Sequence, residues 1–286
     1  MRTTMLFVPG ISPGMIQNAG ILGADSIIFD LEDSVPYDEK DAARILVRNA
    51  LQSLDYGSCE RMIRINSTDY TDWQLDIRES IKSMPDAYVI PKTENETMIL
   101  EVERVIDESD RDTTFIDIIP LIENARGVEC CDKILNSSSR IRTVLFGAED
   151  YATDIGATRT KEGIEIAYAR SRIVNAAAAA GIEAIDTPFV DVEDIDGLKK
   201  DSITARNMGF KGKALISPKH CMIVKNVFTP SPEEVENALR IIAATKQAKQ
   251  QGKGAIRVDG KMIDAPIVKR ALDILKKANI DGDFYE

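Results

Sequence analysis

Two stretches of this chain end strand-like apolar runs on acids. PLIENARG stops at Glu123, and TVLFGAED stops at Gly147 and then delivers Glu149 and Asp150 side by side. If these runs are neighbouring strands, Glu123 and Asp150 meet at their ends, and their mutual repulsion favours a cation between them. Hard oxygen donors with no imidazole or thiolate beside them select Mg²⁺, which keeps positions open for water and substrate. Glu149 then points elsewhere and supports the site without touching the metal. In the other reading of the same spacing, Glu123 and Asp150 cap the helices after these strands.

Three further groups could do chemistry. Arg64 closes the run RMIRI, and its planar fork suits a substrate carboxylate or a developing oxyanion; an ion pair with Asp30, Glu32 or Asp33 of DLEDS would place it equally well. Lys92 in VIPK has the position of a Schiff-base lysine or of a salt-bridge partner at a rim. The acids of DLEDS would, in a structural role, pair with Lys40 or Arg44. His220 is the one histidine, which leaves Ser-His-Asp triads and imidazole metal clusters nothing to build with. With no nucleophile to activate, it reads as a polar rim residue.

Composition narrows the partners. A formal net charge of -11 repels nucleic acid and anionic membrane. The four cysteines show no CxxC spacing, and Cys130 and Cys131 fall in a helix-like run, which points to reduced thiols and a cytoplasmic setting. No apolar run approaches the ~18 residues of a membrane span, and MRTTMLFVPG is too short an apolar segment for a secretory signal.

These groups need a frame to bring them together. Eight apolar runs, at 3–8, 26–31, 61–65, 87–90, 115–122, 143–146, 183–186 and 213–216, alternate with helical patterns such as 38–51, 94–106 and 163–180. Regular strand-helix alternation implies a parallel sheet, and eight strands is the count of a closed (β/α)₈ TIM barrel. A doubly wound open sheet would also alternate, but no GxGxxG turn comes after the first strand. In the barrel, residues leaving each strand face the catalytic end, and these include Asp30 to Ser34, Arg64, Lys92, Glu123 and 147–150. The barrel domain is expected over residues 1–228. Residues 229–286 then form an extension of helix, hairpin and helix, with a helix starting at Ser231-Pro232, a Gly-containing link at Gly252 and Gly254, and a turn at Asp259-Gly260.

The motifs MLFVPG, FDLEDSV, PLIENARGV, FGAEDY, TRTKEGIEIAYAR, AIDTPF, GFKGKALISP and GKMIDAP, spread over the whole chain, resemble the citrate lyase beta chain family, within the wider group of barrel lyases that includes malyl-CoA and citramalyl-CoA lyases. The resemblance implies that Glu123 and Asp150 ligate Mg²⁺. It also implies that Arg64, Glu123, Gly147 and Ala148 contact the substrate, and that Asp264 is the acid/base residue, carried by the extension into a neighbouring subunit's site. From sequence alone Asp264 is the N-cap of a helix opening at Ala265-Pro266. Many CoA-dependent relatives carry His-Pro after the eighth strand where this chain has Ser217-Pro218, a departure that weakens the transfer of thioester contacts to that loop and leaves the metal site untouched.

The implied reaction cleaves a citryl thioester to oxaloacetate and an acetyl thioester, carried by an acyl carrier protein or by CoA. The implied assembly is a homotrimer or hexamer, with an alpha subunit and the carrier as partners of a citrate lyase complex. The alternatives are a stand-alone malyl-CoA or citramalyl-CoA lyase and a non-catalytic assembly subunit. The presence of Arg64, Glu123, Asp150 and Asp264 together speaks against the latter.

Overall fold

The apolar runs build eight strands: β1 (Thr4–Pro9), β2 (Ser26–Asp30), β3 (Glu60–Arg64), β4 (Ala87–Ile90), β5 (Asp117–Ile122), β6 (Thr143–Phe146), β7 (Glu183–Asp186) and β8 (Gly212–Leu215). The structure, a computed structural model, describes residues 2–250, 256–258 and 261–280. The strands pair in parallel in chain order, and β8 returns to β1 through Thr4 with Lys213 and Leu6 with Leu215, which closes the barrel. The expected topology and strand positions therefore hold, with ends differing by a residue or two.

Parity along each strand decides which side chains face inward. In β6, Val144 and Phe146 pack in the layer under the helices, whereas Leu145 joins Met5, Ile28, Met62 and Ile119 in the barrel interior. The same alternation carries β2 from Ile28 to Asp30, β3 from Met62 to Arg64 and β5 from Leu121 to Glu123. The polar groups at the mouth continue the inward rows of the core. At the opposite end Arg2 spans the strand starts, donating to Glu60 at 2.8 Å, to Asp117 at 2.7 Å and to Thr143 at 2.8 Å.

Between strands lie α1 (Pro13–Asn18), α2 (Lys40–Ser53), α3 (Asp72–Ser80), α4 (Glu96–Asp107), α5 (Ala125–Leu135), α6 (Ala148–Asp154), α7 (Ala167–Ala180) and α8 (Ile195–Met208), and α9 (Cys221–Phe228) comes after β8. Helix α4 shows why they dock. Asn95 caps its Met98 amide, and Ile99, Val102, Val105 and Ile106 form one buried stripe. Each such side chain contributes roughly 1.5–3 kcal/mol on burial.

The chain divides into two compact units at Phe228 and Thr229. The second contains α10 (Pro232–Gln250), an antiparallel pair β9 (Ile256–Val258) and β10 (Lys261–Ile263), and α11 (Ala265–Lys277). Ser231 and Glu234 form a reciprocal capping box at the start of α10. Ile241, Ile242, Ile263 and Leu275 are central to the unit's own apolar core. The link glycines Gly252 and Gly254 and the Asp259-Gly260 turn lie outside the described residues.

Candidate active site

The strand ends surround a cavity of about 640 Å³ at the barrel mouth. Arg64, Glu123, Gly147, Ala148 and Asp150 all line it, so the structure brings together five of the six residues that the resemblance assigns to the site. The sixth, Asp264, belongs to the second unit. There it is the N-cap of α11, accepting from the Ile267 amide at 3.1 Å.

Arg64 is held on several sides. Its Nε and Nη2 donate to the two oxygens of Asp30, each at 2.7 Å, its Nη1 lies 3.0 Å from Glu32 and 3.6 Å from Asp33, and the guanidinium stands 5.0 Å over the Phe7 ring. Burial alone would lower its pKa, but Asp30, Glu32 and Glu123 overcome that and hold it above the ordinary value. Asp30 stays below the usual carboxylate range because Arg64 outweighs its burial. Of the two readings of Arg64, the ion pair is realised, and the residue still presents a fixed cation to the cavity.

Glu123 is buried, and desolvation lifts its pKa to about 8; Arg64 pulls the other way while Asp150 and Glu32 add to the rise. One oxygen accepts the Lys92 amide at 2.7 Å. Lys92 has φ +50°, in the left-handed region, so this contact is made by an unusual backbone turn. Its ammonium donates to Glu32 at 2.7 Å, and although burial opposes the charge, Glu32 raises its pKa above the ordinary value. A Schiff-base amine needs the opposite shift.

The β6 turn explains its glycine. A Cβ at Gly147 would lie 2.7 Å from both Cβ and Oε2 of Glu123, so any other residue would displace that carboxylate. The Gly147 amide donates to Ile122 O at 2.9 Å and the Ala148 amide to Thr187 Oγ1 at 3.0 Å, so both N–H groups are committed within the protein. Glu149 turns to Arg159, 2.8 Å away, which also pairs with Glu165.

Several expectations need correction. Glu123 and Asp150 do not cap helices: Asn124 caps α5, accepting from the Gly127 amide, and Gly147 occupies the cap position of α6. The DLEDS carboxylates do not pair with Lys40 or Arg44. Lys40 donates to the carbonyls of Leu31 and Glu32, Arg44 pairs with Asp76 and Asp41, and DLEDS instead meets Arg64 and Lys92. His220 is fully buried rather than at the rim, its Nε2 3.1 Å from Val192 O, because the short 3₁₀ turn after Ser217 folds its ring inward. Sequence reasoning places residues 91–92 and 186–189 at strand ends but gives no role to the Thr187 hydroxyl or the Lys92 amide. A threonine after a strand and a lysine at positive φ carry no signal in the sequence.

The donor set fits a hard divalent cation. Glu123 and Asp150 are among the acids that line the cavity, with no imidazole or thiol beside them, and a cation would favour the ionised form of a carboxylate that burial keeps protonated. Among the described residues no cluster of three or more His, Cys, Asp or Glu could enclose a metal, so water and substrate would complete the coordination.

Comparison with known proteins agrees with this chemistry. The family model described as HpcH/HpaI aldolase/citrate lyase matches residues 3–218. The chain is 42% identical to citrate lyase subunit beta of Leuconostoc mesenteroides subsp. cremoris over 98% of its own length and 94% of the relative's. It is 33% identical to mouse mitochondrial citramalyl-CoA lyase, over 97% of this chain and 86% of that one. Among solved structures it resembles CitE from Mycobacterium tuberculosis in complex with magnesium, acetoacetate and coenzyme A, with a TM-score of 0.82, 29% identity, and coverage of 97% of this chain and 98% of that one.

Proposed function

The chain belongs to the HpcH/HpaI aldolase/citrate lyase family, and on that footing we propose that it is a magnesium-dependent carbon–carbon lyase, a citrate lyase beta subunit that splits a citryl thioester into oxaloacetate and an acetyl thioester. The observation that carries this reading is the meeting of Arg64, Glu123 and Asp150 on one cavity, in a chain that aligns nearly end to end with a citrate lyase beta subunit.

The bond that breaks joins the carbinol carbon to the methylene beside the thioester. Its electrons pass to the thioester fragment as an enolate, while the alcohol loses its proton and becomes the keto oxygen of oxaloacetate. The enolate then takes up a proton, so proton loss and gain balance. Glu123 and Asp150 would hold the Mg²⁺, which would supply Lewis-acid positive charge for the alcohol oxygen as it becomes the keto oxygen. Arg64, already fixed by Asp30, adds a cation that needs no reorganisation as negative charge develops on that oxygen. The apolar wall of Phe7, Leu121 and Leu145 limits water around the enolate.

In this reading Asp264 protonates the enolate in a neighbouring subunit's cavity, the assembly is a homotrimer or hexamer, and the thioester is carried by an acyl carrier protein or CoA beside an alpha subunit. The setting is the cytoplasm, where four free thiols stay reduced. The similarity to a citramalyl-CoA lyase supports a second reading, a stand-alone lyase with the same metal and arginine. Assay of the purified chain with citryl-, malyl- and citramalyl-CoA, and with citryl-loaded carrier protein, separates them. Turnover of the citryl thioester is expected, and turnover of malyl- or citramalyl-CoA alone would overturn the first reading.

A further inference from the structure

The turn that carries Asp150 is fastened on both sides. Gly147 N is bonded to strand β5 at Ile122 O, and Ala148 N to the hydroxyl of Thr187, directly after β7. Ala148 is 0% and Thr187 1% exposed, so the amide is buried and takes this hydroxyl as its acceptor. The end of β7 is itself clamped. Asp186 accepts two bonds from Arg170, at 2.9 and 2.8 Å, and one from Lys213 at 2.5 Å, and Asp201 completes the buried cluster with both cations. A rigid anchor therefore reaches the Ala148 peptide two residues before Asp150.

We infer that Thr187 is a positioning residue for the metal pair: by accepting the Ala148 amide hydrogen it fixes the first turn of α6, so that Asp150 is presented to the cavity together with Glu123 before any cation arrives. This rests on the reading of Glu123 and Asp150 as metal ligands. The acceptor lone pair is what matters. Valine would keep the volume and set a methyl group against an amide that then has no partner, leaving the turn free to rotate its carboxylate away, whereas serine would keep the acceptor.

The test is a titration with Mn²⁺, followed by the loss of its free-ion EPR signal in the absence of substrate, on the parent chain, Thr187→Val, Thr187→Ser and Asp150→Asn, with thermal melting in parallel. Thr187→Val is expected to weaken Mn²⁺ binding ~10-fold or more, the usual cost of losing a partner that orients a ligand, and Thr187→Ser to restore it to within about threefold of the parent. Asp150→Asn losing Mn²⁺ while a folded Thr187→Val binds as the parent does would overturn this inference alone. Equal losses in the valine and serine variants would overturn it too, since the acceptor would then not be the cause. An Asp150→Asn chain that binds like the parent would instead overturn the metal reading beneath it.

Discussion

Asp30 and Arg64 stand opposite each other in the β2–β3 register and share two hydrogen bonds of 2.7 Å. The pair fixes the cavity's arginine in orientation as well as in charge.

Arg64→Lys therefore removes a fork, not a charge. A lysine cannot span both Asp30 oxygens, and its ammonium would settle on one of the surrounding acids. We expect kcat/KM for thioester cleavage to fall by ~10²-fold or more, with Mg²⁺ binding largely retained, as read by steady-state kinetics and calorimetry. A lysine variant of near-parental activity would show that charge alone suffices.

Metal binding can be probed without a substrate assay. Calorimetry with Mg²⁺ and oxaloacetate should give a heat that Glu123→Gln and Asp150→Asn each abolish through loss of ligand charge. If both variants bind as the parent does, the metal lies elsewhere.

The raised pKa of Glu123 gives that binding a pH dependence. Below about 8 the metal-free carboxyl holds its proton, so Mg²⁺ must displace it, and affinity should rise by up to ~10-fold per pH unit before levelling near 8. Stability runs the other way. The folded pKa lies above the ordinary value of 4.5, so between 4.5 and about 8 the metal-free protein should lose stability as pH rises, because the unfolded chain sheds that proton more readily. Melting curves in chelator should show the decline, and saturating Mg²⁺ should flatten it. A metal affinity independent of pH from 6 to 8 would contradict the assignment of about 8 to Glu123.

Gly147→Ala tests the tight packing of the turns that carry Glu123 and Asp150. The added Cβ would sit 2.7 Å from the Glu123 side chain, inside contact distance. Overpacking of this kind costs about 1–3 kcal/mol. The movable neighbour is the Glu123 carboxylate, so we expect metal affinity to fall more than the melting temperature does. Unchanged Mg²⁺ binding would mean that the site relaxes at no cost.

How far these groups are legible in the sequence depends on where their geometry is decided. Parity within a strand is local, so the inward places of Arg64 and Glu123 can be read from the apolar residues two positions before them, Met62 and Leu121. Eight runs of suitable length likewise announce the barrel. The turns after the strands are shaped by contacts far away in the chain. The amide of Lys92 turns to an acid on the next strand, Thr187 serves a peptide 39 residues earlier, and the acids of DLEDS find cations on β3 and after β4 rather than in the adjacent helix. His220 leaves the rim for the same reason, since its partner is a carbonyl 28 residues before it.

Asp264 calls for a variant that separates cap from catalyst. Asparagine caps about as well as aspartate, so Asp264→Asn should keep α11 and Mg²⁺ binding intact while cleavage falls by ~10²-fold or more. Asp264→Ala should lose stability as well, by about 1 kcal/mol. If the residue serves a neighbouring subunit, co-assembled Asp264→Asn and Glu123→Gln chains should regain part of the activity that each lacks alone. No recovery in verified mixed oligomers would return Asp264 to its own barrel.

Because β1 pairs with β2 on one side and with β8 on the other, the barrel strand made first waits longest for its second neighbour. Until β8 has emerged, a nascent chain carries a sheet with an unsatisfied edge along Thr4 to Leu6, open to pairing with the wrong strand. Translation must pass Leu215 before that edge can close, long after the turns that carry Glu123 and Asp150 have been made. A chain stalled earlier would display its two acids on an open sheet, with no mouth around them.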